Sequence, residues 1–224
     1  MIMVGNKAPD FKAKAFYNGD FTEVNLSDYT GKWVVLFFYS GDFTFVSTTE
    51  LASIASKQKE FRANGTEVLF ISVDSINVHK MLNETELSKM IDGDVPFPMV
   101  SDHDGIIGRK YQIYNEETGL DSRARFIIDP DGIIESFEVL PNSVGRNIEE
   151  ILRQIEAYKL VRRTGAAEVA PSGWHPGKKT LKPSPELVGY VWKEWSVDMA
   201  FEEPTEDKTK DKKEEPAEKS KKSK

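Results

Sequence analysis

The stretch Val34–Leu51, VVLFFYSGDFTFVSTTEL, decides how the chain is to be read, because it passes from strand to loop to helix within eighteen residues. It overlaps Trp33–Phe38 (WVVLFF), a short, almost continuous apolar run rich in β-branched and aromatic residues. Such a run predicts a strand covered on both faces, as in a mostly parallel sheet. A short polar loop follows, and then a helix begins. Helix N-termini carry free amides and the positive end of the dipole, so an anion is stabilised there. Leu51, Ile54, Ala55, Gln58 and Phe61 continue at helical spacing with one polar break, and Gly65 lies just beyond. A second apolar run, Val68–Val73 (VLFISV), completes a β-α-β unit.

Further along, helices are expected over Val78–Met90 and Gly105–Ile113. ARFIIDPDGIIESFEV reads as two strands around an Asp-Pro-Asp-Gly turn, a hairpin signal. Asn147–Val161 places Ile148, Ile151, Leu152, Ile155 and Leu160 on one face and reads as an amphipathic helix. The order βαβ, helix, ββα predicts an α/β fold of the thioredoxin-like type, with a mixed central sheet flanked by helices. Three regions are expected: a domain over 1–163, a C-terminal arm over 164–195 rich in Pro, Gly and Trp, and a tail over 196–224. The tail is mostly Glu, Asp, Lys, Ser and Pro and cannot bury enough apolar surface to order itself.

The 224 residues carry a formal net charge of -7, which argues against nucleic acid, whose phosphates demand clustered positive charge. No apolar stretch approaches the length of a membrane span, and the N-terminus lacks a basic region followed by an apolar run, so a cytoplasmic location is expected. The chain contains no cysteine. That excludes disulfides, cysteine-ligated zinc and thiol nucleophiles together. His79, His103 and His175 are scattered singly and read as surface or packing residues rather than as a base or metal ligands, so neither metal nor cofactor is expected.

Position 47 is the chemically interesting place. A thiolate there would have its pKa lowered by the helix N-terminus, and Thr44 could set a hydroxyl beside it. Ser47 itself is an alcohol, hardly ionised without a base. Ser47-Thr48-Thr49-Glu50 also fits a capping box, which makes Ser47 a structural cap rather than a nucleophile.

The stretch resembles the peroxidatic motif of the peroxiredoxins, FFYPxDFTFVCPTE. Phe37, Phe38, Tyr39, Asp42, Phe43, Thr44, Phe45, Val46, Thr49 and Glu50 match in place. Ser40 and Thr48 stand where that family has proline, and Ser47 stands where it has the peroxidatic cysteine. Ser122–Asp129 (SRARFIID) resembles FRGLFIID, which implies that Arg123 holds the thiolate and the peroxide; Arg125, two residues on and on the same strand face, is the competing candidate. The resemblance makes Thr44, Val46 and Arg123 the peroxide-binding groups. It makes Arg146, with Glu50 as its partner, a supporting pair. EVAPSGWHPGKKTLKPSPELVG resembles the arm of the typical two-cysteine branch, with Ala170 at the resolving position. The GGLG loop of the family has no counterpart around MIDGDVPF.

The resemblance implies a parent enzyme that reduces hydrogen peroxide and alkyl hydroperoxides through a sulfenic acid. A thioredoxin-like or flavoprotein disulfide reductase would then recycle it. This chain, lacking both cysteines, is expected to be inactive. Two reactive positions replaced within otherwise intact motifs point to removal by design rather than to a natural pseudoenzyme, and a serine standing for selenocysteine is a third possibility. The alternative function is a redox-inactive, ring-forming holdase or scaffold. Ile134–Val139 is expected to be an edge strand, paired in the family across a two-fold axis, so a homodimer and a decamer are expected.

Overall fold

The structure, a computed structural model, describes residues 2–202. Two strands, β1 (Lys12–Tyr17) and β2 (Asp20–Asn25), form an N-terminal hairpin. Asn18 and Gly19 turn it with φ of 51° and 80°, the left-handed pair that an Asn-Gly hairpin turn requires. β3 (Trp33–Phe38) leads through a loop to α1 (Phe45–Ser56) and α2 (Gln58–Ala63), then β4 (Thr66–Ser72). α3 (Ile76–Thr85), β5 (Met99–Ser101), α4 (Ile106–Lys110) and the small ladder β6 (Tyr114–Asn115) with β7 (Leu120–Asp121) follow. The hairpin β8 (Arg123–Ile128) and β9 (Ile134–Leu140) and the helix α5 (Ile148–Thr164) come next, with a short α6 (Asp198–Phe201) later.

The main sheet has the order β2-β1-β5-β4-β3-β8-β9. β3, β4 and β5 run parallel, and the β1-β2 and β8-β9 pairs flank them antiparallel. The expected α/β sandwich with a mixed sheet is therefore the observed one. All six residues of β3 are buried, because successive side chains point to opposite, equally covered faces. Val35 and Phe37 join Leu51, Ile54, Phe61, Ile127, Ile151 and Ile155 on one side. Val34, Leu36 and Phe38 join Ile107, Tyr111, Phe126 and Ile134 on the other.

Three elements depart from expectation. The helix expected to continue to Phe61 breaks at Lys57, whose φ and ψ of -98° and 8° start a new helix. Just before it, the Ser53 and Ser56 hydroxyls donate to the Thr49 and Ser53 carbonyls at 2.7 Å, local bonds that bend a helix. The helix expected over Val78–Met90 ends at Thr85 and resumes as a single 3-10 turn, Leu87–Lys89. The helix expected over Gly105–Ile113 is confined to Ile106–Lys110.

The chain divides into two compact units, the first ending at Lys159 and the second beginning at Leu160. In the second, Val169 and Leu181 pair in an antiparallel bridge. Trp174 is buried there, with its indole N–H donating to the Lys178 carbonyl at 3.1 Å, whereas Trp192 is 70% exposed. The stretch expected to form a tail contains α6, and from residue 203 on it lies outside the described residues.

Candidate active site

The site forms where β3 ends. The chain turns through Tyr39–Thr44 and enters α1, whose N-cap residue is Thr44, extended at φ -95° and ψ 139°. Ser47 is thus the third residue of the first turn and is 1% exposed. This corrects the capping-box reading. Ser47 lies inside the helix, the N-cap side chain accepts no amide of the first turn, and Glu50 is turned away toward two arginines. The Thr48 N–H donates to the Thr44 carbonyl at 3.1 Å, so the helix starts on Thr44's backbone alone. The Thr44 hydroxyl donates to the Gly41 carbonyl at 2.8 Å and makes no bond to Ser47.

β8 runs antiparallel to β3, with Ala124 opposite Phe38 and Arg125 opposite Phe37. Arg123 therefore stands one residue beyond the last paired position, level with the start of α1. Its guanidinium Nη2 donates to Ser47 Oγ at 3.3 Å and to the Asn142 carbonyl at 3.0 Å, and Nη1 binds Glu50. Arg125, the competing candidate, reaches Glu138, Ser136 and Gln154 instead, at 3.2, 3.4 and 2.8 Å. A one-strand offset of two residues separates the two roles.

Arg146 closes the cage. Its Nε donates to Glu50 Oε1 at 2.8 Å, its Nη2 to Oε2 at 2.7 Å, and its backbone N–H to Oε1 at 2.7 Å. Nη1 donates to the carbonyls of Phe38 and Ala124 at 3.0 and 2.6 Å, so this arginine ties β3 to β8 under the helix. Burial pulls the Arg146 guanidinium below its usual value, and the neighbouring Arg123 adds in the same direction while Glu50 opposes both. Two guanidiniums thus share one carboxylate, all three side chains buried. The cage carries one positive charge more than its own residues compensate, directly beside Ser47 Oγ.

Val46 holds the second position of α1 and is half-buried. Gly145 packs against it: a Cβ there would sit 3.4 Å from Val46 Cγ1 and 3.8 Å from Glu50 Cγ. Ala170 belongs to the second unit. Sequence reasoning passed over Asn142, whose carbonyl carries no side-chain signature, and Gly145, whose role is to leave room. It also read His79 as a surface or packing residue. His79 is buried and bonded to Asp42 of the site loop. Among the described residues, no group of three or more His, Cys, Asp or Glu could hold a metal.

The AhpC/TSA family matches residues 4–137. The chain belongs to that family. It is a peroxiredoxin that contains no cysteine. A selenocysteine-containing peroxiredoxin from Peptoclostridium acidaminophilum is 60% identical over 203 residues, covering 91% of this chain and 100% of that protein. An alkyl hydroperoxide reductase C from Amphibacillus xylanus is 38% identical, covering 85% and 100%. The reduced 2-Cys peroxiredoxin of Plasmodium vivax superposes with a TM-score of 0.78 at 35% identity, over 84% of this chain and 98% of that one. No helix of this peroxiredoxin, among the described residues, is long and apolar enough to cross a membrane.

Proposed function

We propose that the chain is the scaffold of a peroxide reductase whose reacting atom belongs at position 47, and that with serine there it does not turn over peroxide. The observation that carries this reading is the Arg123 Nη2 to Ser47 Oγ bond at 3.3 Å inside a buried cage with one uncompensated positive charge. A thiolate or selenolate at that atom would supply the missing negative charge, and the arginine with the first-turn amides would hold it ionised. It would then attack one peroxide oxygen. The O–O bond breaks, the leaving alkoxide takes up a proton, and position 47 becomes a sulfenic or selenenic acid. Arg123 is placed to stabilise charge on the departing oxygen. Ser47 cannot take this part, because an alcohol is hardly ionised and its oxygen, unlike sulfur or selenium, is not oxidised by peroxide.

The name of the relative that is 60% identical favours selenium at this position, with Ser47 standing for selenocysteine. Ala170 takes the resolving position by resemblance, and a dithiol or flavoprotein reductase would recycle the disulfide of a two-cysteine parent. Ser47→Cys tests the assignment. Its thiol should ionise below the ordinary cysteine value of about 8.5 and be oxidised by peroxide in a single turnover far faster than free cysteine. A rate no better than free cysteine would refute it. The chain as it stands should show no turnover in the same assay.

A further inference from the structure

The loop that delivers α1 is held at Asp42 by both its side chain and its backbone, and one of the two holds is not explained by packing. Asp42 lies at its centre. One carboxylate oxygen accepts the Tyr39 hydroxyl at 2.6 Å, and the other lies 2.8 Å from His79 Nδ1 on α3, with both side chains fully buried. Asp74 Oδ2 accepts the Asp42 backbone N–H at 2.7 Å and the Ser72 hydroxyl at 2.9 Å. The loop needs holding. Phe43 has φ of 56°, a left-handed conformation that side chains disfavour. The next residue, Thr44, is the N-cap, bonded back to Gly41.

A leucine at position 79 would fill an apolar place on α3 without any polar atom to satisfy. The imidazole instead buries Nε2 with no hydrogen-bond partner among the described residues, a cost that the Nδ1 bond offsets. His79 touches Asp42 and does not bond Ser47, so it is not a base for the reaction. We infer that His79 is a positioning residue: through Asp42 it clamps the Tyr39–Thr44 loop and so fixes the first turn of α1, which carries Ser47. The consequence for chemistry rests on position 47 being the reacting one; the clamp itself does not.

Hydrogen exchange on the full chain tests the clamp. His79→Leu keeps the volume and removes the bond, and should speed exchange of the amides from 42 to 48 by about tenfold or more, leaving Ile54–Ser56 unchanged. His79→Asn places an N–H where Nδ1 stood and should restore most of that protection. Asp42→Asn, which weakens the same bond from the other side, should loosen the same amides and serves if the His79→Leu protein does not fold. Uniform acceleration along the chain, no acceleration, or an Asn variant as loose as the Leu variant would overturn the proposal. In a Ser47→Cys background, His79→Leu should slow peroxide oxidation by about tenfold and shift the thiol titration, with His79→Asn recovering both. A Ser47→Cys protein that reacts no faster than free cysteine counts against the assignment of position 47, while the exchange pattern of the serine chain still decides the clamp.

Discussion

Glu50 is the residue on which the site turns, because among the described residues it is the carboxylate ion-paired with both buried guanidiniums. Removing one partner of a buried ionic cluster typically costs about 3–5 kcal/mol, since the charge left behind stays unsolvated. Glu50→Gln should therefore lower stability by about that much in urea titration. A loss below about 1 kcal/mol would mean that water reaches the cage. Arg123→Ala, made with Ser47→Cys, should slow peroxide oxidation by orders of magnitude, whereas Arg125→Ala should matter less, its bonds going to β9 and α5. A buried carboxyl outside the cage sets a pH dependence. Asp121 is 1% exposed, and neither of its oxygens is hydrogen-bonded among the described residues. Burial, reinforced by Asp102 and opposed by Arg109, pushes its pKa from 3.8 up to about 8. The folded state thus holds the proton more tightly than the unfolded chain. The stability this lends is complete below about pH 4 and is lost as pH rises toward about 8. Asp121→Asn should flatten that decline, read from urea midpoints at pH 5, 7 and 9; unchanged slopes would show that the carboxyl is solvated.

At the scale of elements, the same carboxyl explains a glycine in the middle of a helix. A Cβ at Gly108 of α4 would lie 2.0 Å from Asp121 Oδ1. Gly108→Ala should therefore destabilise by about 1–3 kcal/mol despite alanine's better helix propensity. Pairing it with Asp121→Ala should recover most of the loss, the two changes being non-additive because they share one space. β3, β4 and the β8-β9 hairpin were legible in the sequence because their apolar runs and turn residues are local signals. The break at Lys57 and the early end of α3 were not. There, hydroxyls bonding back to carbonyls and the path of the chain over the sheet outweighed the apolar period. The capping box failed for a related reason. Glu50 has the spacing of a cap partner, yet two arginines 73 and 96 residues away along the chain claim its carboxylate.

At the scale of the whole molecule, β9 is an edge of the seven-stranded sheet, with Phe137 and Val139 exposed. Beside the site, Phe45 is 95% exposed. Unpaired strand edges offer backbone groups for pairing, and large apolar side chains exposed along such an edge favour a contact there. We expect pairing of β9 across a two-fold axis and a second contact over Phe45 that closes a ring of dimers. Sedimentation at micromolar concentration checks this; a single species near the 25.3 kDa chain mass would refute it. Phe45→Glu should reduce any ring to dimers, and Val139→Lys should weaken the dimer. The sequence by itself determined the α/β architecture and the strand-loop-helix frame around position 47, because periodicity and turn residues are local signals, while the family resemblance implied Arg123 at the site and Arg146 with Glu50 as a supporting pair. Only the tertiary structure decided that Ser47 sits within the first turn rather than capping it, that Glu50 is shared by two guanidiniums, and that His79 reaches Asp42. Those are contacts between residues up to 96 positions apart, and chain spacing carries no information about which distant partner a buried charge will meet.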